Sequence, residues 1–227
     1  MRTMKTIRRW IISGGIIAFS LGGCFDSSSE KSFARASKLL AANEIQSAEE
    51  EFETVFKQSS DKRLVLASAQ KLYEIAYFKT KNYRKAIRYL EIIIANSESF
   101  ADSLEALKKK AEIEQKNLLQ YEAAIASYSR LLSHSSLTMA EENEFRLNLV
   151  KSLFAINKFE QARTELTPLF EEQRPSEVRR AAKTLEASIH QSEGAVDRAI
   201  ASYQSALEYA DSDSEKQDIL INIAMCY

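Results

Sequence analysis

Thiols and imidazoles, the side chains best suited to nucleophilic, metal or proton-transfer chemistry near neutral pH, are scarce in this chain. Cys24, Cys226, His134 and His190 are the only ones in 227 residues. A zinc site needs ligands at short, paired spacings, and no CxxC, HExxH or paired-histidine spacing exists. No Ser/His/Asp or Cys/His constellation is visible, so no nucleophile stands beside a base. A glycine-rich phosphate cradle is excluded too, because Gly194 is the only glycine after Gly23. The expectation is a protein that is not an enzyme and carries no metal or cofactor.

Cys24 differs from the rest because of what precedes it. Arg2, Lys5, Arg8 and Arg9 come before any acidic residue, and an apolar stretch, Ile11 to Leu21, follows. About a dozen apolar residues are too few for a stable helix across a ~30 Å hydrocarbon core, so the stretch is expected to be a signal peptide. It ends in Leu21-Gly22-Gly23-Cys24. This resembles the bacterial lipobox, an apolar residue and two small ones before a cysteine. The resemblance implies a diacylglycerol on the Cys24 thiol and cleavage between Gly23 and Cys24. A plain cleaved signal with a chance cysteine is the alternative. Arg8-Arg9-Trp10 faintly resembles a twin-arginine signal, but Ile7 stands in place of the usual hydroxyl residue. Asp26, one place beyond the usual position of an inner-membrane retention signal, leaves the outer membrane favoured. Residues 1–23 are thus expected to be a signal, and 24–32 a lipidated cysteine and polar tether.

The rest must be helical. The chain has five glycines and two prolines, and four of the glycines precede Cys24. Several β-hairpins would require many more residues at positive φ. The body also repeats. A bulky apolar residue stands three before each of Ala48, Ala86, Ala124, Ala162 and Ala199, which are spaced 38, 38, 38 and 37 apart. Four residues on come Phe52, Leu90, Tyr128, Leu166 and Tyr203. Offsets of seven and eight are apolar as well. Offsets of 0, 4, 7 and 8 mark one face of a helix. A first helix precedes each, and the junctions, such as Ser59-Ser60-Asp61 and Ser133-His134-Ser135-Ser136, are rich in helix-capping residues. Pro175-Ser176-Glu177 and Ser214-Glu215 stand out as helix starts.

Ala76-Tyr77-Phe78 through Tyr83-Arg84-Lys85-Ala86-Ile87, and Gly194-Ala195-Val196 through Tyr203, resemble the core of a tetratricopeptide repeat. The resemblance covers 33–227 and implies an all-α solenoid of about five hairpins plus one terminal helix. An incomplete sixth repeat would end at Tyr227, where 219–227 is apolar nearly all round. The long period and Ser-rich junctions look like those of periplasmic relatives. These are the lipoprotein subunit of the outer-membrane protein assembly machine and the TolA-binding cell-division coordinator.

The resemblance also turns one side of each first helix inward: Phe33, Ser37, Leu40; Lys71, Ile75, Phe78, Lys79; Lys109, Ile113, Lys116, Asn117; Leu147, Lys151, Phe154; Thr184, Ser188, Gln191. The lysines and aromatics of repeats two to four suit an extended partner with acidic and apolar side chains. Ile75 and Ile113 stand where carboxylate-clamp relatives use polar residues. Solubilising lysines are the simpler alternative. Without the four leading cations the chain has 27 basic and 32 acidic residues, a balance that argues against nucleic acid. His190 shares a column with Leu39, Tyr77, Leu153 and Tyr227 and is expected to pack rather than catalyse.

The expected function is a lipid-anchored adaptor in the bacterial envelope, facing the periplasm, with protein partners and no small-molecule substrate. The alternative is a docking or regulatory part of a longer enzyme or secretion-related chain.

Overall fold

The computed structural model describes residues 27–227, so the signal and Cys24 lie outside the described residues. The described residues form eleven α-helices and no strand. They are α1 (Ser27–Ala41), α2 (Ile45–Gln58), α3 (Lys62–Glu74), α4 (Tyr83–Asn96), α5 (Phe100–Glu112), α6 (Tyr121–Leu132), α7 (Met139–Ala155), α8 (Phe159–Leu166), α9 (Ser176–Ser192), α10 (Val196–Leu207) and α11 (Asp213–Ala224). Short connections fold successive pairs into five hairpins, α1–α2 to α9–α10, with α11 packed on α10. Each second helix packs on the next first helix. In addition α1 reaches α3 and α7 reaches α9, so the first helices form the inner layer of an all-α solenoid.

The alanine column organises each hairpin. Ala48, Ala86, Ala124, Ala162 and Ala199 are all completely buried, and the residues four further on are completely or nearly so. Every second helix begins three residues before its alanine. Five residues before it, the turn passes through positive φ: Asn43 (62°), Lys81 (55°), Leu119 (53°), Asn157 (59°) and Gly194 (75°). Only Gly194 adopts this region freely, and asparagine tolerates it. A lysine or leucine there carries strain on the order of 1–2 kcal/mol.

Two first helices depart from the α-form at their ends. Ile75–Lys79 and Ile113–Asn117 continue α3 and α5 as single π-helical turns, closed by Thr80 and Leu118 N–H bonds to the Ile75 and Ile113 carbonyls, each at 3.0 Å. In the third hairpin this turn carries polar groups into the core. Glu114 and Gln115 are 3% and 7% exposed. Ser127 donates to Glu114 at 2.6 Å. Gln115 donates to the Asn148 carbonyl at 2.7 Å and to Ser152 Oγ at 2.8 Å, joining hairpins three and four. Each polar group in this chain of bonds has a partner, so burial costs little.

Caps and ion pairs complete the joints. Asp61, Ser99, Thr138 and Ser212 cap α3, α5, α7 and α11, the last two with reciprocal bonds from Glu141 and Glu215. The Ser212–Glu215 cap starts α11 at Asp213, ahead of the expected Ser214-Glu215. At the other end α1 begins at Ser27, so 27–32 of the expected tether are helical. Serines followed by Glu30 in the first turn suit a helix N-terminus. His190 is mostly buried on α9, 3.8 Å from Glu193. On α11, Ile219 is buried, whereas Leu220 and Ile221, and Met225 and Tyr227 beyond its end, are exposed.

Ala124→Leu adds three carbons where no space exists. It should cost about 1–3 kcal/mol. A urea unfolding midpoint equal to wild type would refute this packing role.

Between hairpins one and two, Lys85 bonds Glu49 at 2.5 Å and Glu53 at 2.8 Å, and Tyr89 donates to Glu53 at 3.0 Å. Hydrogen bonds from Lys57 and Lys85 hold the Glu53 carboxyl down at about 2, against an ordinary 4.5. A carboxyl whose folded pKa is depressed stabilises the fold above its unfolded pKa and loses that contribution as pH falls toward the folded value. The stability gap between wild type and Glu53→Gln should therefore be largest near neutrality and shrink between pH 4.5 and 2. A gap independent of pH, measured by urea unfolding, would contradict the clamp.

Candidate functional site

The inner face separates the expected groove residues into three local surroundings. The first is a cavity of about 370 Å³ between the ends of α1 and α3, lined by Ser37, Leu40, Ala41, Lys71, Glu74, Ile75, Phe78 and Lys79. Ile75, 1% exposed, belongs to the core and forms the floor, not an accessible rim. Phe78 is 57% exposed, its ring edge-on to Tyr77 at 4.7 Å. Lys71 is paired with Glu74 at 2.7 Å. Lys79 is exposed and has no side-chain partner among the described residues.

The second is a smaller cavity of about 130 Å³ between hairpins two and three. Tyr73, Asp102, Glu105 and Lys109 share it with apolar side chains. Lys109 pairs with Glu105 at 3.3 Å and lies 5.7 Å from the Tyr73 ring centroid. Burial is the main cause that pushes the Tyr73 hydroxyl up to about 12, so it stays protonated as a donor. Ile113, expected beside Lys109 on the groove, is 1% exposed and closed in the core.

The third lies where α5 ends against α7. Lys116 and Asn117 are exposed at the π-helical turn, with Lys116 3.9 Å from Glu112. Lys151 is also exposed and makes no ion pair among the described residues. Desolvation by the surrounding inner face, then repulsion from Lys116, pushes its ammonium below the usual lysine range. Phe154, expected as an open anchor, is half-buried against the core of hairpins three and four, 5.9 Å from the Phe159 ring. Further along, Thr184 bonds its own helix through the Arg180 carbonyl. Ser188 and Gln191 meet the Tyr203 hydroxyl at 3.3 and 3.4 Å.

The inner face is therefore less basic than a count of lysines suggests. Glu74, Glu105 and Glu112 answer three of the five. Their spacings, i,i+3 and i,i+4 on one helix, were the available signal. Nothing on this face places a nucleophile beside a base. Among the described residues no group of three or more His, Cys, Asp or Glu could hold a metal, and no helix is long and apolar enough to cross a membrane.

No family model matches the chain, and no curated protein matches it. Among solved structures, it is similar to TTC0263, a thermophilic TPR (tetratricopeptide repeat) protein of Thermus thermophilus. Identity is 17% and the TM-score 0.42, over 87% of this chain and 98% of that one. A tetratricopeptide repeat protein of Parabacteroides merdae is 16% identical with a TM-score of 0.44, over 87% and 71%. The TPR domain of P58(IPK) is 14% identical with a TM-score of 0.43, over 87% and 55%.

Lys151 supplies a direct test of the inner face. A lowered pKa leaves more neutral amine at mildly alkaline pH. An amine-reactive ester should label Lys151 faster than the exposed Lys158, and Lys116→Gln should slow it. Equal labelling of Lys151 and Lys158, read by peptide mass spectrometry, would contradict this electrostatic picture.

Proposed function

We propose that this chain is a scaffold of the bacterial envelope that binds partner polypeptides along its inner face and performs no chemistry itself. The observation that carries this reading is the cavity between α1 and α3, apolar at its floor, with Phe78 exposed at its edge and Lys79 unpaired beside it. An exposed aromatic over a concave apolar site is a binding anchor, and a neighbouring cation favours a carboxylate on the same ligand. The partner would be an extended or helical segment that brings a bulky apolar side chain and an acidic one together.

Leu21-Gly22-Gly23-Cys24 supports a lipid anchor on Cys24, and the displaced Asp26 supports the outer membrane, with the body facing the periplasm. In that setting the chain would work as an adaptor comparable in type to the assembly-machine lipoprotein and the cell-division coordinator. Several acyl chains hold a protein durably, whereas one binds reversibly.

Two variants separate anchoring from capture. Cys24→Ser should release the chain from membranes or block its processing. Phe78→Ala should leave fractionation unchanged but weaken crosslinking to the partner recovered with wild type, on the order of tenfold or more. Unchanged gel mobility together with unchanged membrane recovery of Cys24→Ser would refute the anchor. Unchanged crosslinking by Phe78→Ala, with circular dichroism intact, would refute the cavity as the binding site.

A further inference from the structure

The five hairpin turns share one backbone, so differences in their side chains stand out against a common frame. Five residues before the alanine, four turns hold Asn43, Leu119, Asn157 or Gly194, and the second holds Lys81. Two residues before it, α6, α8 and α10 place Glu122, Glu160 and Asp197 in the first turn, where the helix dipole favours an anion. At that position α2 has Gln46 and α4 has Arg84, and neither carries an acid in its first turn; only α4 places a cation there. The second turn therefore breaks two local preferences at once, each with a cation. Breaks of this kind concentrate where function demands them.

Neither cation is used inside the fold. Lys81 and Arg84 are exposed, and their side chains make no ion pair or hydrogen bond among the described residues. Lys85, one place further, is instead consumed by Glu49 and Glu53. Lys79 is likewise unpaired, and Phe78 stands 57% exposed beside it. The tip thus presents three free cations and an exposed aromatic ring. The first turn, by contrast, carries Glu44, and the fifth carries Glu193 and Asp197.

We propose that the tip of the second hairpin, Phe78 to Arg84, docks on an anionic phospholipid surface. Cations near such a surface each gain attraction to the headgroups, and an aromatic ring settles at the interface between headgroup and chain. Lys81 and Arg84 line neither of the two cavities described above and stand exposed to solvent. The tip lies beside Ala41, at the end of α1 about 22 Å from Ser27, so a lipid on Cys24 does not select this turn and the inference rests on the chemistry of the tip alone.

The test uses the mature chain from residue 24 carrying Cys24→Ser, so that neither the basic, apolar signal nor an acyl group contributes, and vesicles of phosphatidylcholine with or without phosphatidylglycerol. Binding should require phosphatidylglycerol, weaken with salt, and fall on the order of thirtyfold in Lys81→Gln/Arg84→Gln. Lys158→Gln, at the fourth turn, should change it little. Both tip residues are exposed, and circular dichroism checks the fold. Four results would each overturn the inference: equal binding by the double variant, binding indifferent to phosphatidylglycerol, displacement by free inorganic phosphate, or a stronger Lys81- and Arg84-dependent attachment to poly-glutamate. The last would assign the tip to acidic protein. A chain found unacylated in cells would refute the anchor and leave the vesicle result standing.

Discussion

One close approach governs this fold: in each hairpin the two helices cross at an alanine that no solvent reaches. A methyl group sets the separation there, and everything near it follows. The second helix must start one turn earlier, which puts a bulky apolar residue at its first position. The connecting turn must reverse within three residues, and it does so through one left-handed residue five before the alanine. The next turns of the helix then present Phe52, Leu90, Tyr128, Leu166 and Tyr203 to the core. Because this geometry recurs every 37 or 38 residues, each hairpin rests mainly on its neighbours, and stability is built joint by joint.

That recurrence is why so much of the fold was legible in the sequence. An alanine column with a fixed apolar stripe locates helix starts without knowledge of any partner. What escaped depends on pairs far apart in sequence or on end effects. Gln115 shares the column of Leu39, Tyr77, Leu153 and His190, and it is acceptable only because Ser152 and the Asn148 carbonyl face it from the next hairpin. No local pattern announces a partner 37 residues on. The π-helical turns at Ile75 and Ile113 are backbone adjustments that leave no residue signature. Ser27 to Glu30 has the composition of a tether, yet the same residues suit a helix start.

The candidate site is less basic than its sequence columns suggest. Lys71, Lys79, Lys109, Lys116 and Lys151 stand on first helices or their π-helical ends, but a column counts a lysine without its neighbours. Glu74, Glu105 and Glu112, on the same helices, neutralise three of them. The aromatics divide for a related reason. A stripe of helical period includes residues at its flank, and the flank turns toward the adjoining helix. Phe154 therefore packs on Phe159, while Phe78 stays open. Ile75 and Ile113 lie on the deep side of the stripe and serve the core.

A repeat fold supplies its own controls. Since the five turns have one backbone, a residue that fits it poorly is not required by the architecture, which Asn43, Asn157 and Gly194 satisfy without such strain. Leu119 and Lys81 both bear left-handed strain, but Leu119 has an apolar surface and Lys81 a charge aimed at solvent. Arg84 adds a cation at the positive end of α4, where three of the other second helices carry acid. In a single compact core such misfits would disturb many contacts. Here each turn projects from one joint, so its cost stays local and the rest of the solenoid is untouched. The architecture thus leaves its turn tips free to specialise, and the unsatisfied charge of the second tip points outward, toward whatever anionic surface meets it.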